Sequence, residues 1–267
     1  MVGTASILAM VVTLLISTVL PILVYIIYGV KNKGKGVWTT WLIGAAGFVV
    51  MQLIIRTPIL SLLSLNAGFV AFATEYYTLY VLVLAFTAAL FELVARYVIA
   101  KILQKNQCFE KAVAAGLGHG GIEAIALIGL TYVNNILYSF MINTGVYDTI
   151  VEQTSNMGVD TTSLLVAKSS LIETSPAMFL LAGYERILTM ILHVAMTVLV
   201  FYFVKKKKDI VGIILCLIIH TLIDFVPAFL VGMLAANLAY IITYAYLTVM
   251  AVVGIVIIAV IRKKWAS

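Results

Sequence analysis

Residues 77–103 read YTLYVLVLAFTAALFELVARYVIAKIL. As a helix rising ~1.5 Å per residue, this stretch is long enough to cross a hydrocarbon layer of ~30 Å. Charge enters it only at Glu92, Arg96 and Lys101. A charged side chain near the centre of a bilayer costs at least ~2.5 kcal/mol on insertion scales, so Glu92 and Arg96 need a reason to be there. The rest of the chain has the same character. It is 64% hydrophobic and 10% charged over 267 residues, with a mean hydropathy of +1.15, more apolar surface than a water-soluble fold can bury. The composition predicts an all-α, polytopic protein of the cell membrane.

Working outward, seven apolar stretches are long enough to span: residues 7–28, 37–55, 77–103, 112–141, 177–204, 210–230 and 234–261. The whole chain, 1–267, is expected to form one integral membrane domain, with its chemistry in 77–230. With seven spans, Lys31, Lys33 and Lys35, then Lys101, Lys105 and Lys111, then Lys205 to Lys208, and finally Arg262, Lys263 and Lys264 all fall on one side. The positive-inside rule makes that side cytoplasmic, which places the N-terminus outside. The net charge of +6 therefore reads as a topology signal, not as a nucleic-acid face. On the other side lie Glu75, Asp148, Glu152, Asp160 and Glu173, with Arg56 and Lys168 as the loop bases. Residues 57–74, interrupted by Pro58, Asn66 and Gly68, suit an interfacial or re-entrant piece better than another crossing. Residues 143–176 read as a partly ordered outer loop, with a lid or interfacial helix near 161–171 as the alternative. Cys108 and Cys216 show neither metal-ligand spacing nor a disulfide framework. No basic segment precedes the first span, so a cleaved signal peptide is not expected.

The polar residues inside the spans share a depth. Counting from the basic end of each span, Glu92, Glu123, His193 and His220 all fall ~15–17 Å in, near the bilayer midplane. Glu92 and Arg96, His119 and Glu123, and His220 and Asp224 are each four residues apart, so each pair lies on one helix face. Thr189, His193 and Thr197 make a fourth polar stripe, with Glu185 and Arg186 farther out. Each element also has a plain structural reading. The glutamate and arginine can be an ion pair that merely lets both residues sit in the membrane, and His220 can be oriented by Asp224 without reacting. The glycines of GLGHGGIE, residues 116–123, can simply serve close helix packing. Three histidines on three helices, two of them level with two glutamates, favour a site.

These residues resemble a superfamily of intramembrane peptidases that includes the type II CAAX prenyl endopeptidases, the PrsW proteases and the YhfC-type peptidases. The likeness to the YhfC type rests on Phe91-Glu92-x-x-x-Arg96, Gly118-His-Gly-Gly-Ile-Glu123, Glu185-Arg186 with His193, and His220-Thr-Leu-Ile-Asp224. The anterior-pharynx-defective subunit of gamma-secretase is similar in its seven spans, its glutamate-arginine pair and its histidines on successive helices, and it is a scaffold rather than a catalyst. Two departures stand out. Phe91 occupies the place of the first glutamate in the CAAX-type Glu-Glu-x-x-x-Arg, and Thr189 the place of a phenylalanine four residues before the second-motif histidine.

Taken together, the expectation is an intramembrane endopeptidase acting on a membrane-embedded or membrane-proximal peptide. Glu123 or Glu92 would polarise water, with Glu123 preferred because Arg96 lowers the basicity of Glu92. His193 and His220 would either ligate zinc together with one glutamate or donate to the oxyanion; without HExxH the metal signal is thin. Arg96, His119, Glu185, Arg186 and Asp224 would support them. The rivals are a non-catalytic scaffold, favoured by the missing glutamate, and a proton-coupled transporter, disfavoured by the lack of repeated halves or paired broken helices.

Overall fold

The computed structural model describes residues 1–265. The chain is 89% helical and, among the described residues, contains no strand. Seven helical runs are long and apolar enough to cross a membrane: Thr4–Lys31, Val37–Leu63, Tyr77–Ile102, Phe109–Thr144, Pro176–Lys205, Asp209–Met233 and Ala236–Lys264. These are the seven stretches expected from hydropathy, with ends that differ by no more than three residues except in the second, which runs eight residues further, to Leu63. The protein is a multi-pass membrane protein.

The elements are α1 (Thr4–Lys31), α2 (Val37–Phe48), α3 (Thr57–Leu63), α4 (Ala67–Glu75), α5 (Tyr77–Ile102), α6 (Phe109–Glu123), α7 (Leu130–Thr144), α8 (Val146–Asn156), α9 (Thr162–Glu173), α10 (Pro176–Lys205), α11 (Asp209–Met233) and α12 (Ala236–Lys264). Two π-helical segments, Val49–Arg56 and Ala124–Gly129, join α2 to α3 and α6 to α7 without breaking either span. Pro58 therefore does not end the second span. It sits in the first turn of α3, directly after the wide π turns, where a missing N–H is tolerated. Of the segment expected to be interfacial, Thr57–Leu63 instead continues a crossing, and only α4 remains as a separate short helix, capped by the Asn66 side chain on the Phe69 N–H at 3.1 Å. The segment 143–176, expected to be a partly ordered loop, holds the helices α8 and α9. They are tied together by the Tyr147 hydroxyl on the Leu164 carbonyl at 3.0 Å and by the Lys168–Asp148 ion pair.

The chain divides into two compact units, Met1–Leu23 with Ala124–Ile187, and Val24–Glu123 with everything from Leu188 onward. In the first, Val2, Met10, Tyr132, Ile142, Tyr147, Leu171 and Phe179 form an apolar core. The carbonyl of Phe179 accepts from the hydroxyls of Thr13 and Tyr132 at 2.6 and 3.1 Å.

The second unit carries the expected polar residues. Its core is built on the lower part of α10, with Met196, Val198, Val200, Phe201 and Val204 packed against Leu93, Ala115, Leu117, Cys216 and Leu247. Its basic chain ends lie together at one end, joined by Lys35 to Glu110 at 2.6 Å, Lys101 to Asp209 at 3.0 Å, and Gln104 Nε2 to the Val204 carbonyl at 3.2 Å. The closest packing in the unit is between α2 and α6. A Cβ at Gly118 would stand 2.1 Å from the Trp41 carbonyl oxygen, and one at Gly44 2.2 Å from that of Ala115. Backbone cannot yield as a side chain can, so these glycines set the distance between the two helices.

Gly118→Ala is accordingly expected to destabilise the purified protein by about 1–3 kcal/mol, the usual cost of overpacking. Gly3→Ala, at a position with open space around it, is the control. Thermal unfolding in detergent compares the two, and equal melting temperatures would show that α2 and α6 can move apart freely.

Candidate functional site

Five membrane-spanning segments of the second unit contribute polar side chains to one buried cluster. From α5 come Glu92 and Arg96, one helical turn apart. From α6 come His119 and Glu123, also one turn apart, on the segment whose glycines let it approach its neighbours. A Cβ at Gly120 would lie 3.0 Å from the Cβ of His193, so the bare backbone of α6 leaves room for the α10 histidine. From α11 come His220 and Asp224. The π segment after α2 adds Gln52, which sequence reasoning did not single out.

Arg96 is 1% exposed and stands at the centre. Its Nη2 donates to Glu92 Oε2 at 2.9 Å and to His193 Nδ1 at 2.7 Å, and its Nη1 lies 3.4 Å from His220 Nδ1. A guanidinium has donors only, so an imidazole nitrogen that receives it must be an acceptor. In a neutral imidazole the proton then sits on the other nitrogen. His193 and His220 are thereby fixed as Nε2–H tautomers. His193 Nε2 lies 2.7 Å from Glu123 Oε2. His220 Nε2 is shared loosely between Asp224 Oδ2 at 3.4 Å and Glu92 Oε2 at 3.6 Å.

The two glutamates differ in their surroundings. Glu92 Oε1 accepts from Gln52 Nε2 at 2.6 Å, and Oε2 accepts from Arg96 and from His119 Nε2, each at 2.9 Å. Both of its oxygens are held by fixed donors. The Glu123 side chain is 12% exposed against 6% for Glu92. Behind Gln52, Arg56 Nη1 donates to Gln52 Oε1 at 3.3 Å, while its Nε and Nη2 reach the Thr87 hydroxyl and the Leu84 carbonyl at 3.3 and 2.7 Å. Arg56 was expected in an outer loop, and instead it lies against α5 at the end of the π segment. The missed signal is the spacing of Gln52 and Arg56, four apart in an apolar span like the other pairs.

Glu185 and Arg186 belong to the first compact unit, where they form an ion pair with each other.

Glu92, His119, Glu123 and His193 each offer one ligand atom, and these atoms lie within 4.8 Å of one another. Two carboxylates and two imidazoles are a donor set suited to zinc and similar divalent ions. Two buried atoms of the cluster, His119 Nδ1 and Arg96 Nε, find no hydrogen-bond partner among the described residues, so its polar interior is not closed by side chains alone. The residues therefore fit a metal ion, with His119 rather than His220 as the second histidine of the converging set. Ligation through His193 Nε2 requires the proton on that nitrogen to leave, and with it the present Arg96 contact to change.

Nitrogen-15 spectra of histidine-labelled protein, prepared with chelator, are expected to show His193 and His220 as Nε2–H tautomers. An Nδ1–H tautomer at His193 would mean that Arg96 does not hold it.

Comparison with known proteins gives the family. A 144-residue stretch is 31% identical to the uncharacterised membrane protein YhfC of Bacillus subtilis strain 168, and the match spans about half of either chain, 54%. No solved structure matches. The family model described as YhfC intramembrane metalloprotease matches residues 16–247, which include every polar residue of the cluster. This chain belongs to the YhfC intramembrane metalloprotease family.

Proposed function

We propose that this protein is an intramembrane endopeptidase that hydrolyses a peptide bond of a membrane-embedded or membrane-proximal substrate, with Glu123 as general base. The observation that carries this reading is the unequal treatment of the two glutamates. Glu92 is held on both oxygens by Gln52, Arg96 and His119, so its lone pairs are turned to protein donors rather than to water. The Glu123 side chain is the more exposed of the two, 12% against 6%, and its Oε2 lies 2.7 Å from His193 Nε2.

Glu123 takes a proton from water as the water oxygen attacks the scissile carbonyl carbon, and the carbonyl oxygen becomes an oxyanion. His220 Nε2–H, only weakly committed to Asp224 and Glu92, is free to donate to that oxygen. Collapse of the tetrahedral intermediate breaks the C–N bond, and the leaving amine receives the proton from Glu123. Arg96 holds both histidines in the donating tautomer, and Asp224 orients His220. A divalent ion held by Glu92, His119 and His193 would supply Lewis-acid polarisation beside Glu123.

The orientation belongs to this proposal as well. The basic ends gathered at one end of the second unit face the cytoplasm, so reporter fusions after Lys35 and after Lys208 should both read as cytoplasmic.

With purified protein and candidate membrane peptides, Glu123→Gln is expected to lower cleavage by about 10²–10⁴-fold, the usual contribution of a general base, in a protein that remains folded. Arg96→Ala and Glu92→Gln should instead lower the melting temperature, because each leaves a buried partner uncompensated at a cost of about 3–5 kcal/mol. Normal cleavage by Glu123→Gln with none by a folded Glu92→Gln would move the base to Glu92. Metal analysis of wild type and His119→Ala, with cleavage assayed with and without chelator, tests the metal arm. If Glu123→Gln loses only assembly with a partner protein and wild type cleaves nothing, the protein is a scaffold.

A further inference from the structure

Away from the polar cluster, α12 carries a second feature. Ile255, Ile258, Ala259 and Arg262 fall at i, i+3, i+4 and i+7 and so share one face of the helix. With Tyr28 of α1, Phe109 and Val113 of α6, and Lys263, they line a cavity of about 730 Å³ in the second unit. The two cations stand in the last turn of α12, and the apolar lining extends from there to Ile255, ~10 Å deeper along the helix.

Charge distinguishes this groove from an ordinary gap between helices. Neighbouring bases are already committed to protein acceptors: Lys35 to Glu110, Lys101 to Asp209, Lys111 to the Asn106 carbonyl and Lys205 to the Trp265 carbonyl. Arg262 and Lys263 form no ion pair with any described carboxylate, and Arg262 is held over the Phe109 ring, 5.9 Å from its centroid. Two adjacent cations without a protein anion stand at the mouth of an aliphatic groove. The walls also limit the occupant. Apart from the two cations, the only side-chain polar group in the lining is the Tyr28 hydroxyl, which donates to the Glu110 carbonyl at 3.3 Å. A peptide would bring N–H and C=O groups that such walls cannot satisfy, whereas an acyl chain brings none.

We propose that this groove is a binding site for one anionic phospholipid, its phosphate on Arg262 and Lys263 and an acyl chain against Val113, Ile255 and Ile258. Basic pockets at the membrane-facing end of helices recognise anionic headgroups in this way. The inference stands on the groove and its charges and does not depend on the catalytic reading.

The test uses full-length protein in nanodiscs of phosphatidylcholine containing a minor fraction of phosphatidylglycerol, with retained lipid counted by native mass spectrometry. Wild type is expected to retain phosphatidylglycerol in preference to phosphatidylcholine, and Arg262→Gln and Lys263→Gln to reduce that preference by about five-fold each. Ala259→Trp keeps both charges, lies on an exposed helix face and fills the groove; it should also release the lipid. Equal retention of the two lipids by wild type overturns the proposal whatever the variants do. So does wild-type retention by Ala259→Trp, which would leave only attraction between charges at the surface. Displacement of the lipid by millimolar inorganic phosphate alone would likewise overturn it, because a seated acyl chain is not competed away by a free anion.

Discussion

A guanidinium cannot lose its proton at any ordinary pH, and Arg96 is almost wholly withdrawn from solvent within an apolar bundle. The second unit is organised around that constraint. An isolated charge there would be prohibitively costly, so acceptors must converge on it from several helices. They come from α5 as Glu92, from α10 as His193 Nδ1 and from α11 as His220 Nδ1. One permanent cation thus dictates where three helices place their polar faces. It also dictates which nitrogen of each histidine carries the proton, and so turns a stability requirement into a chemical instruction.

The packing of α6 serves the same end. A helix with ordinary side chains at positions 116, 118 and 120 would stand off from α2 and α10, because a Cβ at these positions would meet Val194, the Trp41 carbonyl or His193. The glycines remove that barrier, and His119 and Glu123 are carried close enough to meet Glu92 and His193. The bland and functional readings of the glycine-rich segment are one fact seen twice, since close packing is what assembles the cluster.

Much of this was legible in the sequence, and the exceptions have physical reasons. Seven spans follow from hydropathy because lipid demands that every backbone polar group be satisfied within its own segment. Glu92, Glu123, His193 and His220 stood out because charge in such spans is costly. Gln52 did not, because an uncharged amide carries no comparable penalty and so raises no alarm. The π segments were also hidden: the single-residue shift that turns Gln52 and Arg56 toward α5 changes neither composition nor mean hydropathy. Pro58 misled for the same reason, since the wide turns before it absorb a residue that otherwise signals a break. The pairing of His119 with His193, rather than His220, in the converging donor set depends on the distance between α6 and α10, which no local pattern encodes.

The cluster also carries a tension that bears on how a metal would enter it. Arg96 and a divalent ion are both cations that draw on Glu92 and His193, and the lone pair of His193 Nδ1 is already given to the arginine. A metal must therefore compete with a residue that cannot dissociate, at carboxylates whose charge is already partly neutralised. Such a site favours an ion that needs few strong ligands and tolerates a nearby positive charge, and it penalises one that requires every donor in the set. The same arginine that makes the buried cluster stable thus limits how tightly a metal can be held, because the electron pairs it draws from Glu92 and His193 are no longer fully available to a second cation.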